Sequence, residues 1–458
     1  MHQKNSTIAA LASPQGEGGV GVIRLSGSEA PLILSKIFQG SASSNQWLSH
    51  RLYLGKLVSQ KGLFLDECLA VWMKAPQSFT GEDVVEFHIH GGRLISMKVL
   101  EEIYSLGAQP AQPGEFSLRA FINGKMDLTQ AEAVADMIRA QSDLSLKLAQ
   151  DQWSGSLTKP VSELRRKLLE ALVHLEAAID FPEEDIEILE MSRVAKELES
   201  SLFQLKEWLK DYELGRILRE GLSIALLGKP NVGKSSLLNY LVKEEAAIVH
   251  DQPGTTRDVI EKPINLGGLA IRLLDTAGIR KTGESVESKG IEKSKVWLQK
   301  ADLVLALFDT SENINDNDRE LVKLIKPRNS LILLTKSDLP KKWTLKDLLG
   351  DLNKPSLSIS TKTGDGLSEL EKYIPTLFGI PEMNKPGQLL INQLRHKLAL
   401  EKSIDCLSQA LEAMQNKIGV ELVATDVMRA AQAVGEIVGE ISSEHILEDI
   451  FSRFCIGK

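Results

Sequence analysis

The sequence predicts a protein of the α/β plus α class. A doubly wound, mostly parallel α/β domain is inserted into an α-helical domain, and a small α/β domain precedes both. Three observations support this: short β-like runs between Gly and Pro turns come first, apolar residues then recur every three or four positions, and strands later alternate with helices. The predicted domains are residues 1–122 (small α/β), 123–218 (helical, first part), 219–379 (inserted α/β) and 380–458 (helical, second part).

The N-terminal domain is predicted from runs such as GGVGVIRLSG and DVVEFHIHGG, which are rich in β-branched residues and end in turn residues. The apolar spacing becomes helical from Leu128 and is helical again after Pro381. Neither helical part has an obvious core of its own, so we expect the two parts to pack together. The inserted domain opens with the buried strand LSIALLG, and four further strand runs follow, which is typical of a doubly wound sheet.

Composition limits the class of protein. The chain has 458 residues, of which 43% are hydrophobic and 25% charged. Its longest apolar runs, such as LVLALF, are far shorter than the ~20 residues that cross a bilayer. The N-terminus lacks a secretory or organelle-targeting pattern, so we expect a cytoplasmic protein with no membrane partner. Three cysteines indicate no disulfide framework, and a net charge of −8 disfavours a broad nucleic-acid-binding surface.

The strongest chemical signal is GKPNVGKSS at residues 228–236, directly after a predicted strand and directly before a helical pattern. Gly228 and Gly233 let the backbone turn so tightly that amide groups and the helix N-terminus point at phosphates. Lys234 is expected to neutralise the β- and γ-phosphate oxygens, and the Ser235 hydroxyl to bind Mg²⁺. The pattern indicates a nucleotide phosphate-binding loop.

Two further motifs indicate that the nucleotide is GTP. DTAG, which begins at Asp275, ends a hydrophobic strand, and its first carboxylate can reach Mg²⁺ through water. TKSD ends a later strand, and the Asp338 carboxylate can accept two hydrogen bonds from guanine N1 and N2, a pair of donors that adenine lacks. Thr335 stands where Asn is more usual. The loop STKTG is expected to close over the base with Ser360, Thr361 and Lys362.

The segment PGTTRD is placed as a first switch, in which Thr255 or Thr256 can bring a hydroxyl to Mg²⁺ and the γ-phosphate. Ile279 follows DTAG where Ras-type GTPases carry a water-orienting Gln, so another group must position the water. Asn231 either holds a monovalent cation or only stabilises the turn. Glu287 is either the water-positioning carboxylate or a solvated surface acid.

Together these motifs identify the inserted domain as a P-loop GTPase domain. The candidate GTP-binding residues are Asn231, Val232, Gly233, Lys234, Ser235, Ser236, Thr255, Thr256, Asp275, Thr276, Ala277, Gly278, Thr335, Lys336, Asp338, Ser360, Thr361 and Lys362.

The order of these motifs resembles that of the MnmE (TrmE) family of tRNA-modification GTPases over essentially the whole chain. The segments TGEDVVEFHIHGG, PGEFSLRAFINGKMDLTQAEA and the terminal CIGK carry the resemblance furthest. It implies a homodimer that joins an FAD-containing flavoprotein, MnmG, in a heterotetramer. That assembly would attach an aminomethyl or carboxymethylaminomethyl group to C5 of the wobble uridine of certain tRNAs. The one-carbon unit would come from 5-formyltetrahydrofolate or a related tetrahydrofolate.

The resemblance also assigns site residues and makes K⁺ a cofactor beside Mg²⁺. It favours Asn231 as a K⁺ ligand and Glu287 as the water-positioning acid, whereas His250 replaces the usual Thr of the potassium loop. The implied ligands are Asn231, His250, Gln252 and Thr255 for K⁺, Ser235 and Thr256 for Mg²⁺, and Arg24, Glu86, Lys125 and Lys458 for tetrahydrofolate. The N-terminal domain would therefore bind folate and dimerise.

The terminal FCIGK places Cys455 on a tail that a folding argument leaves free to fray. Three interpretations compete: a lipid anchor, an incidental thiol, or a reactive group delivered to a site elsewhere. Gly457 and Lys458 do not fit a prenylation signal. Because the tail could reach the folate that the resemblance implies, we expect Cys455 to be catalytic, as nucleophile or general acid. A thiol that only packs under the last helix is the alternative.

Two other classes of GTPase fit the sequence less well. A ribosome-assembly GTPase that acts as a binding switch would usually carry a second P-loop or an RNA-binding GXXG loop, and neither follows residue 380. A lipid-anchored signalling GTPase needs a different C-terminus. His88 and His90 share one face of a predicted strand, but no Cys or acid with ligand spacing joins them, so a metal site there is disfavoured.

Overall fold

The computed structural model describes residues 6–40, 47–180, 188–243, 264–274, 298–380, 389–441 and 444–458. These residues form two compact units. The first draws on the ranges Met1–Ala135, Gln152–Leu198 and Cys406–Lys458, and the second on Asp136–Asp151 and Glu199–Asp405. No helix in the described ranges is long and apolar enough to cross a membrane.

The first unit contains a seven-stranded mixed sheet with the order β3-β4-β5-β6-β2-β1-β7. Neighbouring strands are antiparallel except for β1 and β7, which are parallel. The elements are β1 (Ile8–Leu11), β2 (Gly18–Ser26), α1 (Ala30–Ile37), β3 (Phe38–Gly40), β4 (Leu52–Val58), β5 (Phe64–Met73), β6 (Val84–Gly91), α2 (Arg93–Ser105), β7 (Gln109–Pro110) and α3 (Glu115–Ile122).

Alternation along the central strands gives this sheet two different faces. Ile23 and Leu25 of β2 and Phe87 of β6 are fully buried in a core that α1 and α2 also enter. Arg24 and Glu86 lie between these core positions in the sequence, so their side chains leave from the opposite face. The period of two thus places a charged pair on the face away from the core.

Helices follow the sheet along the chain. They are α4 (Leu128–Arg139), α5 (Asp143–Trp153), α6 (Thr158–Asp180), α7 (Ile188–Lys210) and α8 (Tyr212–Glu220). The Asp127 carboxylate forms hydrogen bonds at the start of two helices. One of its oxygens accepts from the Gln130 amide (2.9 Å) at the start of α4. The other accepts from the Thr158 hydroxyl (2.7 Å) at the start of α6.

The second unit contains a six-stranded sheet with the order β13-β12-β11-β8-β10-β9, parallel throughout except for β9. The elements are β8 (Leu222–Leu227), α9 (Lys234–Lys243), β9 (Ile264–Leu266), β10 (Leu269–Leu274), β11 (Leu303–Asp309), α10 (Asp316–Ile325), β12 (Ser330–Thr335), α11 (Leu345–Leu349), β13 (Ser356–Ser358) and α12 (Leu367–Leu377). Leu305 and Leu307 of β11 enter one apolar cluster, and Val304 and Phe308 enter another. Because both faces of the sheet are covered, the predicted doubly wound, mostly parallel arrangement is confirmed.

The last helices are α13 (Leu394–Gln415), α14 (Val420–Val438) and α15 (Glu444–Ser452). In the first unit α14 packs along α6. Leu164 and Leu168 of α6 and Val427 and Val434 of α14 are buried. The two helical parts of the chain therefore meet in the first unit, as expected from their incomplete apolar faces.

Gly439, directly after α14, provides a test of this packing. Its φ is +86°, and a Cβ there would lie 2.5 Å from Leu128 Cγ and 2.9 Å from a ring atom of Phe121. We expect Gly439→Ala to lower the free energy of unfolding by about 2–4 kcal/mol, the sum of left-handed strain and overpacking. Urea unfolding and amide hydrogen exchange in α14 would measure the loss.

Gly62 is the matched control for this substitution. Its φ is +79°, but nothing lies within 4 Å of the position of a Cβ. Gly62→Ala should cost only the backbone strain, about 1–2 kcal/mol. Equal losses for the two variants would contradict the packing described for Gly439.

Candidate functional site

The predicted phosphate-binding loop connects β8 to α9. Gly228 lies so close to the neighbouring strand that a Cβ would be 2.9 Å from the Leu307 carbonyl oxygen and 2.7 Å from Val232 Cγ1. Asn231 (φ +61°) and Gly233 (φ +106°) then reverse the chain in left-handed conformations. These turns bring the loop to the first residue of α9, Lys234, where the helix leaves unbonded amides.

The Lys234 side chain is hydrogen-bonded to the backbone of its own loop. Its Nζ donates hydrogen bonds to the carbonyl oxygens of Gly228 and Lys229, each at 2.6 Å. Burial lowers the pKa of Lys234 from its ordinary value. The two hydrogen bonds hold the ammonium group inside the turn of the loop, where phosphate oxygens can reach it. Ser235 and Ser236 are exposed at the start of α9, and Val232 is buried beneath the loop.

Thr335 has a different environment from that expected of a base-binding side chain. It is buried at the end of β12, and its hydroxyl donates to the carbonyl oxygen of Phe308 on β11 (3.2 Å). Its own carbonyl oxygen accepts from the Thr310 hydroxyl (3.1 Å). Thr335 thus links two strand ends, which gives a structural reason for a residue other than Asn at this position.

Asp338 and Ser360 come together as the candidate base-recognition pair. The Ser360 hydroxyl donates to Asp338 Oδ1 at 2.8 Å and accepts hydrogen bonds from the backbone amides of Lys362 and Thr363. Ser360 is buried and Asp338 is exposed. The buried hydroxyl therefore orients a carboxylate that remains accessible to solvent. Thr361 and Lys362 follow in the same loop, with Lys362 exposed.

Two acids that hold these loops, Asp309 and Asp318, are not part of the predicted motifs. Lys336, which has a left-handed backbone (φ +55°), pairs with Asp309 at the end of β11 (Nζ to Oδ2, 2.5 Å). Lys229 of the phosphate loop pairs with Asp318 on α10. Both acids belong to the segment DTSENINDND at the carboxyl end of a buried strand. Ligands bind at the carboxyl ends of the strands in open α/β sheets, so the position of this segment is a signal by which both acids could have been predicted.

The pKa values of the Lys336–Asp309 pair move as an ion pair requires. The hydrogen bond to Asp309 raises the pKa of Lys336. Burial acts to raise the pKa of Asp309, but hydrogen bonds from Lys336 and Ser311 outweigh it and hold that pKa below its ordinary value. Both groups are therefore charged at neutral pH.

Several predicted residues lie outside the described residues. They are His250, Gln252, Thr255, Thr256, Asp275, Thr276, Ala277, Gly278 and Glu287. Of the implied metal ligands, the structure describes Ser235 and Asn231, which are both exposed.

A second cluster lies on the outer face of the first unit's sheet. Arg24 on β2 and Glu86 on β6 are cross-strand neighbours, and Arg24 Nε donates to Glu86 Oε1 at 2.7 Å. The guanidinium lies over the rings of Phe79 (5.5 Å to the centroid) and Phe116 (5.8 Å). Arg24 is thereby held in one orientation by a carboxylate and two aromatic rings.

The C-terminal tail joins this cluster, and the expectation that it is free to fray is wrong. Arg24 donates to the Gly457 carbonyl oxygen (3.4 Å). Gly457 (φ +94°) packs so closely on the sheet that a Cβ would lie 2.5 Å from the Leu11 carbonyl oxygen. The Cys455 carbonyl oxygen accepts from the amides of Gly114 (3.4 Å) and Lys458 (3.3 Å). The tail is held by its backbone, a kind of contact that side-chain patterns do not predict.

The docked tail brings further predicted residues to Arg24 and Glu86. Burial lowers the pKa of Lys458, the positive charge of Arg24 lowers it further, and Glu86 and Cys455 oppose the shift. The Cys455 side chain is exposed beside this group. Lys125 belongs to a neighbouring contact, since its Nζ donates to the Pro76 carbonyl oxygen (3.1 Å).

The two histidines of HIHGG have separate acidic partners. His88 Nε2 lies 3.4 Å from Glu86 Oε2, and His90 Nδ1 lies 2.8 Å from Asp66 Oδ1. No group of three His, Cys, Asp or Glu side chains that could hold a metal ion occurs in the part of the chain that the structure describes.

Comparison with known proteins gives matches over the whole length. A family model described as the MnmE helical domain matches residues 128–455, and one described as the GTP-binding protein TrmE N-terminus matches residues 7–125. The G domain of the T. maritima FeoB iron transporter covers 34% of this chain and 98% of its own, with 30% identity. The TM-score of this match is 0.27.

Similar relatives named tRNA modification GTPase MnmE align end to end. The protein of Acetivibrio thermocellus is 40% identical over 99% of this chain and 100% of its own length. Those of Heliobacterium modesticaldum (42% identical) and Thermoanaerobacter pseudethanolicus (43% identical) each cover 99% of both chains. With the phosphate loop, the base-recognition pair and the doubly wound sheet in place, this chain belongs to the MnmE family of tRNA modification GTPases.

Proposed function

We propose that this GTP-hydrolysing enzyme works with an MnmG-type flavoprotein to modify C5 of the wobble uridine of certain tRNAs. The group added is aminomethyl or carboxymethylaminomethyl, and 5-formyltetrahydrofolate or a related folate is the one-carbon donor. The observation that carries this proposal is the convergence of the Cys455–Lys458 tail with Arg24 and Glu86 on one sheet face. A thiol, an ammonium group and an ordered Arg–Glu pair in one place indicate a chemical site separate from the nucleotide.

The nucleotide roles follow from the loop geometry. Lys234 Nζ, held in the curve of the loop, binds the β- and γ-phosphate oxygens, while the amides at the start of α9 bind phosphate from the other side. Asp338, oriented by Ser360, accepts from guanine N1 and N2. We assign Thr256 and the DTAG segment, Asp275 to Gly278, to the Mg²⁺ and γ-phosphate end because their motifs are those of the two switches.

The residues present fit the two cations. The exposed Ser235 hydroxyl is a hard oxygen donor at the end of the phosphate loop, as Mg²⁺ requires. Asn231 presents an exposed carboxamide at the tip of the same loop, with which His250, Gln252 and Thr255 complete the proposed K⁺ set. When bound, the monovalent cation supplies positive charge against the phosphates in place of an arginine finger. Glu287 is then the proposed water-positioning carboxylate.

The sheet face fits a folate for reasons of donor chemistry. Glu86 presents a carboxylate, which pairs with N–H donors of a pterin ring, and Arg24, Lys125 and Lys458 present donors for carbonyl or carboxylate oxygens. The folate supplies the one-carbon unit when bound. The chain's part is to orient the folate through Arg24 and Glu86 and to present the exposed Cys455 thiol as nucleophile or general acid.

The assembly we propose is a homodimer through the N-terminal domain that joins the flavoprotein in a heterotetramer. Because this chain has a net charge of −8, it does not attract the phosphates of tRNA broadly. We therefore propose that the partner provides most of the electrostatic attraction for tRNA. We expect this complex in the cytoplasm, together with its tRNA substrate.

The cation assignment predicts that hydrolysis is slow and is faster in K⁺ than in Na⁺, by about tenfold or more, because a charge near the developing phosphate charge is worth that much. Asn231→Ala should abolish the difference between the two salts. Single-turnover GTP hydrolysis in KCl and NaCl at equal ionic strength would measure it.

Asn239, an exposed Asn on α9, is a matched control. Asn239→Ala should keep the full K⁺ stimulation. Equal rates of the unmodified protein in both salts would refute the cation hypothesis.

The docked tail predicts that Cys455→Ser abolishes wobble-uridine modification while folding, dimerisation and GTP hydrolysis stay near normal. The reason is that the exposed thiol is removed and the backbone contacts of the tail remain. Nucleoside analysis of tRNA from cells that express only this variant gives the readout.

Cys406, a half-buried thiol on α13, is the control. Cells with Cys406→Ser should modify tRNA fully. Full modification in cells with Cys455→Ser would remove Cys455 from the mechanism, and loss of stability in step with loss of modification would indicate a packing role.

A further inference from the structure

The carboxyl end of β11 lies between the two loops that bind the nucleotide. In the sheet, β11 has β8 on one side and β12 on the other, all parallel. The phosphate loop follows β8, and the base-recognition residues follow β12. The residues from Asp309, the last residue of β11, to Asp318 are therefore placed to contact both loops.

Both carboxylate oxygens of Asp309 have partners. Its Oδ2 pairs with Lys336 Nζ (2.5 Å), and its Oδ1 accepts from the amide (2.8 Å) and the hydroxyl (2.6 Å) of Ser311. Its side chain is 10% exposed, compared with 35% for Lys336. A largely buried carboxylate with fixed hydrogen bonds thus anchors the end of a longer, more exposed lysine.

Lys336 adopts an unfavourable backbone conformation where it meets this anchor. Its φ is +55°, a left-handed value that costs a residue with a Cβ on the order of 1 kcal/mol or more. Such strain persists where the surroundings over-determine it, and it is concentrated at ligand sites. Since Lys336 stands between Thr335 and Asp338, its conformation also sets the path to the base-recognition carboxylate.

The segment that carries Asp309 is itself fixed at both ends. Near its start, the Lys342 amide donates to the Thr310 carbonyl oxygen (2.8 Å), and Trp343 Nε1 donates to the Glu312 carbonyl oxygen (2.9 Å). At its far end the Asp318 carboxylate accepts from the amide of Asn315, the N-cap of α10 (3.0 Å), and pairs with Lys229 of the phosphate loop. Asp309 is therefore part of a rigid support rather than a free acid.

We propose that Asp309 is a positioning residue for guanine recognition, which holds Lys336 so that its aliphatic stem can cover the base plane beside Asp338. The inference rests on the proposed assignment of Lys336 and Asp338 to the base. Without the anchor, Lys336 regains the rotamer freedom of a long surface side chain, and this freedom must be lost again when nucleotide binds.

This role has a distinct thermodynamic signature. GDP and GTP share the same base, so both should lose affinity by the same factor when the anchor is removed. The chemical step occurs at the phosphates, so kcat should change little. A residue that acted through the phosphate loop would instead separate GDP from GTP or alter kcat.

The test is Asp309→Asn in the full chain, with fluorescent GDP and a fluorescent non-hydrolysable GTP analogue as probes. We expect the Kd for both to rise roughly tenfold, as expected when a long side chain must be ordered anew. KM for GTP should rise by the same factor, with kcat changed less than about twofold. Asp316→Asn, an exposed acid on the same segment, should bind like the unmodified protein.

A double-mutant cycle separates positioning from general structural damage. Lys336→Met keeps the aliphatic stem and removes the anchored charge, so it should weaken binding, and adding Asp309→Asn should then have no further effect. Additive losses would show that Asp309 acts independently of Lys336 and would overturn the proposal. Unchanged binding by Asp309→Asn would overturn it as well.

Two further variants keep the outcomes distinguishable. Asp338→Asn should weaken GDP binding and favour xanthosine diphosphate, which carries a carbonyl where guanine has its amino group; if it does neither, the proposed base site is wrong, and the positioning role falls with it. If Asp309→Asn does not fold, Asp309→Glu is measured in its place. Because Glu keeps the charge, GDP affinity between that of the unmodified protein and that of Lys336→Met supports the anchor, and a loss greater than that of Lys336→Met contradicts it.

Discussion

The contact between Gly457 and the first strand determines how the proposed folate site of the first unit is built. A Cβ at Gly457 would lie 2.5 Å from the Leu11 carbonyl oxygen and 2.8 Å from Ala12 Cα, so only a residue without a side chain can lie there in its left-handed conformation. Because of this approach, the Gly457 carbonyl reaches Arg24, Lys458 lies beside Arg24 and Glu86, and the Cys455 thiol is exposed next to them. The approach of α15 supports the contact, since Phe451 and Phe454 are buried against residues of α3 and α4.

The proposed nucleotide site depends on a different constraint, the parallel order of β8, β11 and β12. Parallel strands bring their carboxyl ends to one edge. The predicted phosphate-binding loop after β8, the residues from Asp309 to Asp318 and the proposed base-recognition residues after β12 are therefore neighbours. Two lysine–aspartate pairs then fix the loops to the central segment, one through Lys336 and one through Lys229. The strand order thus brings the loops close together, and the buried or half-buried ion pairs fix the orientation of the loops.

Much of this organisation could be predicted from the sequence, because it depends on local pattern. The alternation of β2, the spacing of α6 and α14, and the run from Gly228 to Ser236 each carry a period or a motif that one segment is enough to define. The motifs also led to Asp338 and Ser360, which the structure brings within 2.8 Å.

The features that could not be predicted all depend on contacts between distant segments. Thr335 departs from the usual motif, but its bond to Phe308 is visible only when β11 and β12 are adjacent. Asp309 is one acid among several in DTSENINDND, and sequence alone does not show that Lys336 folds back onto it. The tail was expected to fray because its docking uses backbone atoms and a glycine, which leave no hydrophobic pattern.

The central claim, that the docked tail and the Arg24–Glu86 pair form one folate site, is tested most directly by calorimetric titration of 5-formyltetrahydrofolate into the full chain and into Gly457→Val. Valine keeps Cys455 and Lys458 in the protein but cannot occupy the place of Gly457, so the tail must leave the sheet. Gly457→Val is expected to bind the folate at least about tenfold more weakly, because the Lys458 contact is lost. A chain ending at Arg453 should bind it equally weakly. Unchanged affinity in Gly457→Val, with the fold intact by circular dichroism, would contradict this claim.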